Sequence, residues 1–356
     1  MEAGTAESSG SRPPSDIRGQ VLGWGLYAAL LAPIVIYGIL DLTNDDPARP
    51  NTLARLGNTL IAGISNGAII ALVALGYTLV YGIIELINFA HGDVFMMGTL
   101  ITAALFGVFG LDGAGTGSII LGILGTMVIT MLVCGTLNVM IERVGYRPLR
   151  NAPKLAPLIT AVGFSFILQN VGILWIGSSQ KSTVDLIGKD HELFSFLGLS
   201  FARADALAIG VTVPLVFLLT AFVSNSRLGK AMRATAQDPE AARLMGINVD
   251  TTVSVTFLLG GLLAGAAGAI NILYATRQWY FEGFQFGLFA FTAAVMGGIG
   301  NLRGAVLGGL IIGVFAQMTD NRLGNEWQTT VVFAFLIIVM VFRPQGLIGE
   351  QTREAG

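Results

Sequence analysis

The chain has 356 residues, 53% of them hydrophobic and 12% charged, with 47 glycines, a formal net charge of −2 and one cysteine. A soluble domain carries about 25% charged residues, so half that share leaves too little polar surface to coat a globule, and most of the exterior must face lipid. The lone Cys134 excludes an internal disulfide and a cysteine metal cluster, and no basic tract suits nucleic acid.

Residues 1–20 are rich in Ser, Gly and Pro and read as a disordered tail. The uncharged run 21–40 is followed by Asp41-Leu42-Thr43-Asn44 rather than a small-residue cleavage site, so it reads as an uncleaved first span. A spanning helix needs about 20 apolar residues, each adding about 1.5 Å across a core of about 30 Å. Further uncharged runs lie at 56–84, 94–111, 113–141, 155–180, 206–226, 251–276, 283–302, 304–319 and 327–342. The last three are short enough for half-helices, tilted segments or a re-entrant pair. The sequence predicts an all-α integral membrane protein, a polytopic helical bundle of about 8–10 membrane elements over 21–342, with a second tail at 343–356.

Lys and Arg in the connections set orientation, because positively charged loops stay on the cytoplasmic side. With an inside N-terminus, 13 of the 20 basic residues fall in one set of connections and 7 in the other. The richer set holds both tails and the segments 142–154 and 227–250, which predicts that all four are cytoplasmic.

In chain order, Gly63-Ile64-Ser65-Asn66-Gly67 fits the G-x-S-x-G nucleophile pattern, but that pattern needs a strand-to-helix elbow and here lies within an apolar helical run. Gly63 and Gly67 suit a helix-packing pair better. Next, Glu85, Asn88, His91 and Asp93 interrupt the apolar stretch 76–99. On a continuous helix Glu85, Asn88 and Gly92 share one face, with His91 beside them. An ionisable group at the bilayer centre costs about 2.5–3.5 kcal/mol, so such residues face an internal cavity or the interface. Two readings stand side by side. One is a short cytoplasmic turn. The other is a helix broken near Gly82 or Gly92, with Glu85, Asn88, His91, Gly92 and Asp93 lining a substrate pathway.

Glu142–Arg150 (ERVGYRPLR) is a basic connection that serves topology, headgroup contact or both. The connection 181–205 is external in this topology; its His191, between Asp190 and Glu192, reads as solvated rather than metal-bound. The stretch 227–248, RLGKAMRATAQDPEAARLMGIN, is a polar block between two apolar runs. Asp238-Pro239 predicts a helix start, Glu240–Met245 a short run of helix formers, and Gly246 its C-terminal stop. Beyond it, Gly261 and Gly265, and the trio Gly300, Gly304 and Gly308, predict close helix packing at four-residue spacing. No phosphate loop of the G-x-x-x-x-G-K-[ST] type occurs, so ATP would act on a separate polypeptide. The expectation is a chain with no catalytic residues, no metal site and no cofactor of its own.

Glu240-Ala241-Ala242-x-x-x-Gly246 matches the EAA-x-x-x-G loop of ABC importer permeases. The longer form of that motif ends in Leu-Pro, whereas INVDTTVSVTF follows here, which points away from the maltose type. The strings GKAMRATAQDPEAARLMGIN, YGIIELINFAHGDVFMMG, ERVGYRPLR and GGIGNLRGAVLGG resemble LivH-type permeases for branched-chain amino acids and their urea and amide relatives, over roughly residues 56–348. The resemblance implies an inner-membrane permease subunit of an ATP-driven importer for branched-chain or other neutral amino acids. It implies a LivM-like second permease, two cytoplasmic ATPases that hold ATP and Mg, and a periplasmic solute-binding protein as partners. Asp238, Glu240, Ala241, Ala242, Arg243 and Gly246 would then couple the chain to an ATPase. The alternatives are a urea or short-amide permease and an ion-coupled secondary transporter using Glu85, His91 or Asp93.

Overall fold

A computed structural model describes residues 52–150, 152–153, 155–343 and 345–348, together with Ala32, Val35, Ile36 and Ile39. The tail 1–20, most of the expected first span 21–40 and residues 349–356 lie outside the described residues. Within a bilayer every backbone N–H and C=O must be satisfied by the chain itself, which leaves helices as the solution for these apolar runs. In order they are α1 Thr52–Ile84, α2 Ala90–Val108, α3 Thr116–Ile141, α4 Leu155–Ile176 and α5 Arg203–Asn225. Then come α6 Arg227–Gln237, α7 Pro239–Leu244, α8 Val249–Ala275, α9 Glu282–Gly297, α10 Leu302–Leu323 and α11 Gln328–Phe342. Eight helical stretches among the described residues are long and apolar enough to cross a membrane.

Two boundaries depart from the uncharged runs. The run 304–319 is part of a longer helix, because α10 continues through Arg303, Asp320 and Arg322 at its ends. The run 283–302 yields only the 16-residue α9, since the chain turns at 298–301 with Gly298 and Gly300 at positive φ. A helix of that length spans about 24 Å, short of the hydrocarbon core. Strand is confined to two small antiparallel pairs: β1 Lys181–Ser182 with β4 Arg277–Gln278, and the hairpin of β2 Glu192–Phe196 with β3 Leu199–Ala202.

The helices sort into an inner and an outer set. In α1, 78% of the apolar window is buried, against 17% in α5 and 17% in α11. The inner set is α1, α2, α8, α9 and α10, and it closes at glycines, where lipid offers no hydrophobic drive and close backbone approach supplies the contact energy. A Cβ on Gly63 or Gly67 would come within 2.8 Å of the Val314 or Leu310 Cα on α10. On α8, Gly261 abuts Gly135 and Gly265 abuts Met131 of α3, each within 2.8 Å. Gly304 and Gly308 of α10 meet the carbonyls of Gly297 and Ala293 on α9. Gly300 is a correction to the expected stripe. It lies in the 298–301 turn at φ +88 with nothing within 4 Å, because α10 starts only after Asn301, whose side chain caps the Arg303 and Gly304 N–H groups. Gly297 takes its place in the packing.

The segment 345–348 folds back on this corner. Leu347 N–H donates to the Met296 carbonyl (2.7 Å) and Ile348 N–H to the Gly297 carbonyl (3.2 Å), while Asn301 Nδ2 donates to the Ile348 carbonyl (2.8 Å). These bonds satisfy the open end of α9, whose last carbonyls have no partner within the helix.

Candidate functional site

Two regions hold the polar side chains that the sequence singles out. The first is the corner 226–250. Ser226 caps α6 by accepting from the Gly229 N–H (2.9 Å), and α6 turns Gly229, Met232 and Thr235 inward. Asp238 then stands in extended conformation, and its Oδ1 accepts from the Glu240 and Ala241 N–H groups at 2.9 Å each. Pro239 occupies the first helical position, where it has no N–H to lose. At the other end, Gly246 at φ +84 donates to the Arg243 carbonyl, and Ile247 N–H donates to the Ala242 carbonyl. That pair of bonds is the Schellman arrangement, which uses the left-handed residue that glycine adopts without a Cβ clash. Asn248 at once caps α8 by accepting from the Thr251 N–H (3.0 Å). Four caps in 23 residues make this corner stiff.

α7 is also almost bare. Of its residues only Ala242 is buried; Asp238, Glu240, Ala241, Arg243 and Gly246 are exposed. At its tip Leu244 is 89% and Met245 83% exposed, two large apolar side chains held out from a polar block. The sequence reading passed over them as helix formers, although two apolar neighbours in an otherwise polar stretch were the available signal.

The base of this corner is tied to the connection after α3. Glu142–Tyr146 forms a π-helical turn and Arg147–Leu149 a 3-10 turn. Arg147 pairs with Asp250 (2.7 Å), while Arg150 bridges Asp250 and the buried Glu142, the latter at 2.5 Å. Ser254 Oγ donates to Glu142 Oε2 at 2.7 Å.

The second region is 85–93. Here the expected shared face does not exist. α1 stops at Ile84, Glu85 takes a left-handed φ of +50, and residues 85–88 are irregular before α2 begins at Ala90. Glu85 is therefore exposed, while Asn88, His91 and Asp93 are buried. The segment is a connection that runs from the exposed Glu85 into the bundle, where Asn88 and residues 90–93 are buried. His91 lies edge-on to Tyr77 with ring centroids 4.9 Å apart, and its ring fills the space that a side chain on Gly76 would need. Gly76 is eight residues before the end of α1, so α2 starts about 12 Å back along it, at 1.5 Å per residue.

Partners from four other helices converge on this start. Asn88 Nδ2 reaches Asn138 Oδ1 (3.4 Å), and Asn138 Nδ2 donates to the Phe257 carbonyl (2.6 Å). Ser165 Oγ donates to Asp93 Oδ2 (2.5 Å) and Gln169 Nε2 to Ser165 Oγ (3.0 Å). Asp93 Oδ1 has no hydrogen-bond partner among the described residues. A Cβ on Gly92 would strike the Gly283 carbonyl and come within 2.7 Å of the Gly287 Cα, so the starts of α2 and α9 abut backbone to backbone. Glu282, the first residue of α9, is buried there too and accepts from Asn271 Nδ2 (3.0 Å). Two helix starts, each carrying a carboxyl group where the dipole favours negative charge, thus meet deep in the bundle. The sequence reading placed Glu282 in an external loop and missed Asn138, Ser165, Gln169 and Asn271. Tyr146 Oη, in the π-helical turn, donates to the Ile87 carbonyl (3.1 Å), which joins this region to the first.

His191 is exposed, with Nδ1 beside the Glu192 carbonyl at 2.9 Å, and among the described residues no group of three or more His, Cys, Asp or Glu could hold a metal ion. Ser65, buried within α1, donates to the Ile61 carbonyl of its own helix.

Comparison with known proteins bears on both regions. The model of a family described as the permease component of branched-chain amino acid transport systems matches residues 59–341. The high-affinity branched-chain amino acid transport system permease protein BraD of Pseudomonas aeruginosa is 40% identical over 297 residues, covering 82% of this chain and 95% of that protein. LivH of Escherichia coli, with the same description, is 39% identical over 296 residues, covering 81% and 94%. LivM of Escherichia coli is 29% identical over 163 residues, covering 43% and 37%.

Proposed function

From the premise that this chain belongs to the branched-chain amino acid transport permease family, we propose that it is the membrane-spanning subunit of an ATP-driven importer, and that α7 is where a separate ATPase docks. The observation that carries the docking role is the build of α7. It is capped at both ends, 89% and 83% exposed at Leu244 and Met245, and braced beneath by the Arg147–Asp250–Arg150–Glu142 network. A helix held this rigidly with its apolar tip in solvent is a knob awaiting a socket, since ordering costs on binding are already met. In this reading α7 faces the cytoplasm of a cell with an inner membrane, two ATPase subunits bring ATP and Mg, a LivM-like chain completes the pathway, and a solute-binding protein delivers substrate from outside.

The substrate class follows the relatives: leucine, isoleucine, valine or other neutral amino acids, with urea and short amides as the competing class. The buried Asn88, His91 and Asp93 constellation, closed by Gly92 against α9, is the candidate gate of the pathway. Purified chain reconstituted with its partners should take up labelled leucine only with ATP, and uptake should persist when ionophores collapse ion gradients. Competition by alanine, proline and urea ranks the substrates. Uptake by the isolated chain on a proton or sodium gradient without ATP would select ion-coupled transport through Glu85, His91 or Asp93 instead.

A further inference from the structure

The corner below α7 contains a groove of about 290 Å³, lined in part by Arg147 and Asp250 of the network that braces that helix. Its polar rim is formed by Arg143, Arg147, Asn248 and Thr251, and its floor by Val139, Val255 and Leu258. We propose that this groove binds an anionic phospholipid, with the phosphate on Arg143 at the rim and an acyl chain along the floor.

Charge bookkeeping within the groove points to the phosphate. Asp250 also lines it, yet Arg147 and Arg150 both engage Asp250, and Arg150 engages Glu142 as well. Those two arginines and two carboxylates balance. Arg143 is left over: it is exposed, and its guanidinium makes no hydrogen bond or ion pair among the described residues. Arg143 in the π-helical turn and Arg147 at the start of the 3-10 turn that follows both line the groove, so they face the same space. A guanidinium with free donors is matched to a phosphodiester.

Position points to a lipid rather than a soluble phosphate. α3 has 26 residues and so runs about 39 Å, past a hydrocarbon core of about 30 Å, which sets Arg143 at headgroup depth. Its exposed face carries Leu124, Val128, Leu132 and Met140, continued by Val144 in the π-helical turn, a surface suited to acyl chains that runs up to the groove. Basic pockets between membrane helices at this level suit anionic headgroups. The site also has a place in the machine, because Asn248 and Thr251 form the cap that follows Gly246, so an occupied groove braces the joint between α7 and α8.

The test uses the full chain with its co-purifying subunits in mild detergent. Dioleoylphosphatidylglycerol or dioleoylphosphatidylcholine is titrated in while the melting temperature is followed, and bound lipids are counted by native mass spectrometry. The expected result is stabilisation by phosphatidylglycerol alone, weakened about tenfold by Arg143→Gln, which removes one charge-assisted contact. Val255→Trp, which fills the floor and keeps the charge, should weaken it as well, and Lys181→Gln at the opposite end should change nothing. Undiminished phosphatidylglycerol binding by Arg143→Gln overturns the proposal. So does an equal response to glycerol phosphate, which would make this a free-phosphate site. Loss of a subunit from the Arg143→Gln complex with lipid retention unchanged overturns it too, and would make the groove a protein interface.

Discussion

α7 and the junction of α2 with α9 are each built around a glycine, and the two glycines are needed for opposite reasons. Gly246 has positive φ and nothing within 4 Å of where a Cβ would stand; Gly92 has neighbours from α9 on every side that matters. The first is a requirement of the local chain, the second of the fold. A substitution at 246 should therefore be felt by whatever docks on α7, and one at 92 by the bundle itself. The same contrast runs through the surrounding residues: α7 is held by caps two or three residues away, the start of α2 by hydrogen-bond partners 50 and 72 residues distant along the chain.

The largest effect should come from Gly92→Val. Backbone atoms cannot swing aside as a side chain can, and overpacking typically costs about 1–3 kcal/mol, occasionally more. Folded protein recovered from membranes and its melting temperature should both fall clearly; a wild-type melting curve would mean that α2 and α9 do not touch as described. Next, Leu244→Glu with Met245→Glu should remove ATPase subunits from the purified complex and abolish uptake, while the chain's own melting temperature stays unchanged. Gly246→Asp should act in the same direction, because a Cβ in a left-handed conformation costs roughly 1–2 kcal/mol and unwinds the end of α7. Retention of ATPases and full uptake in both variants would sink the docking assignment.

A smaller effect is expected for Asn88→Leu, which leaves Asn138 bonded to Phe257 but strips one member from the buried network. Uptake should drop with subunit assembly intact, and full activity would return 85–93 to a plain connection. The smallest change should be Glu85→Gln. An exposed side chain outside the buried constellation should leave uptake within about twofold of wild type, a difference worth about 0.4 kcal/mol.

The sequence made one of these regions far easier to read than the other. Asp238-Pro239 and Gly246 announce the ends of α7 because capping is local chemistry, written in the residues that perform it. The membrane helices were legible for a related reason, since long apolar runs have few structural outcomes in lipid. What stayed hidden was pairing. Ser165 and Gln169 looked like ordinary polar residues in a span, and only the fold brings them to Asp93, 72 residues away from Ser165. Glu282 marked the edge of an apolar run, and a charge there looks the same whether it ends a loop or opens a buried helix. Gly300 shared the spacing of Gly304 and Gly308, yet periodicity has no meaning across a helix start.

The fold-back of 345–348 has a practical side. Leu347 and Ile348 supply the N–H groups that finish α9, a helix of only 16 residues and one wall of the buried constellation. A fluorescent reporter joined directly behind Ile348 would load those two hydrogen bonds, and its brightness would then describe a frayed corner instead of the native chain. A polar spacer between Ile348 and the reporter should remove the load, and trimming back to Pro344 should loosen the candidate gate from a distance, with no change to any residue that lines it.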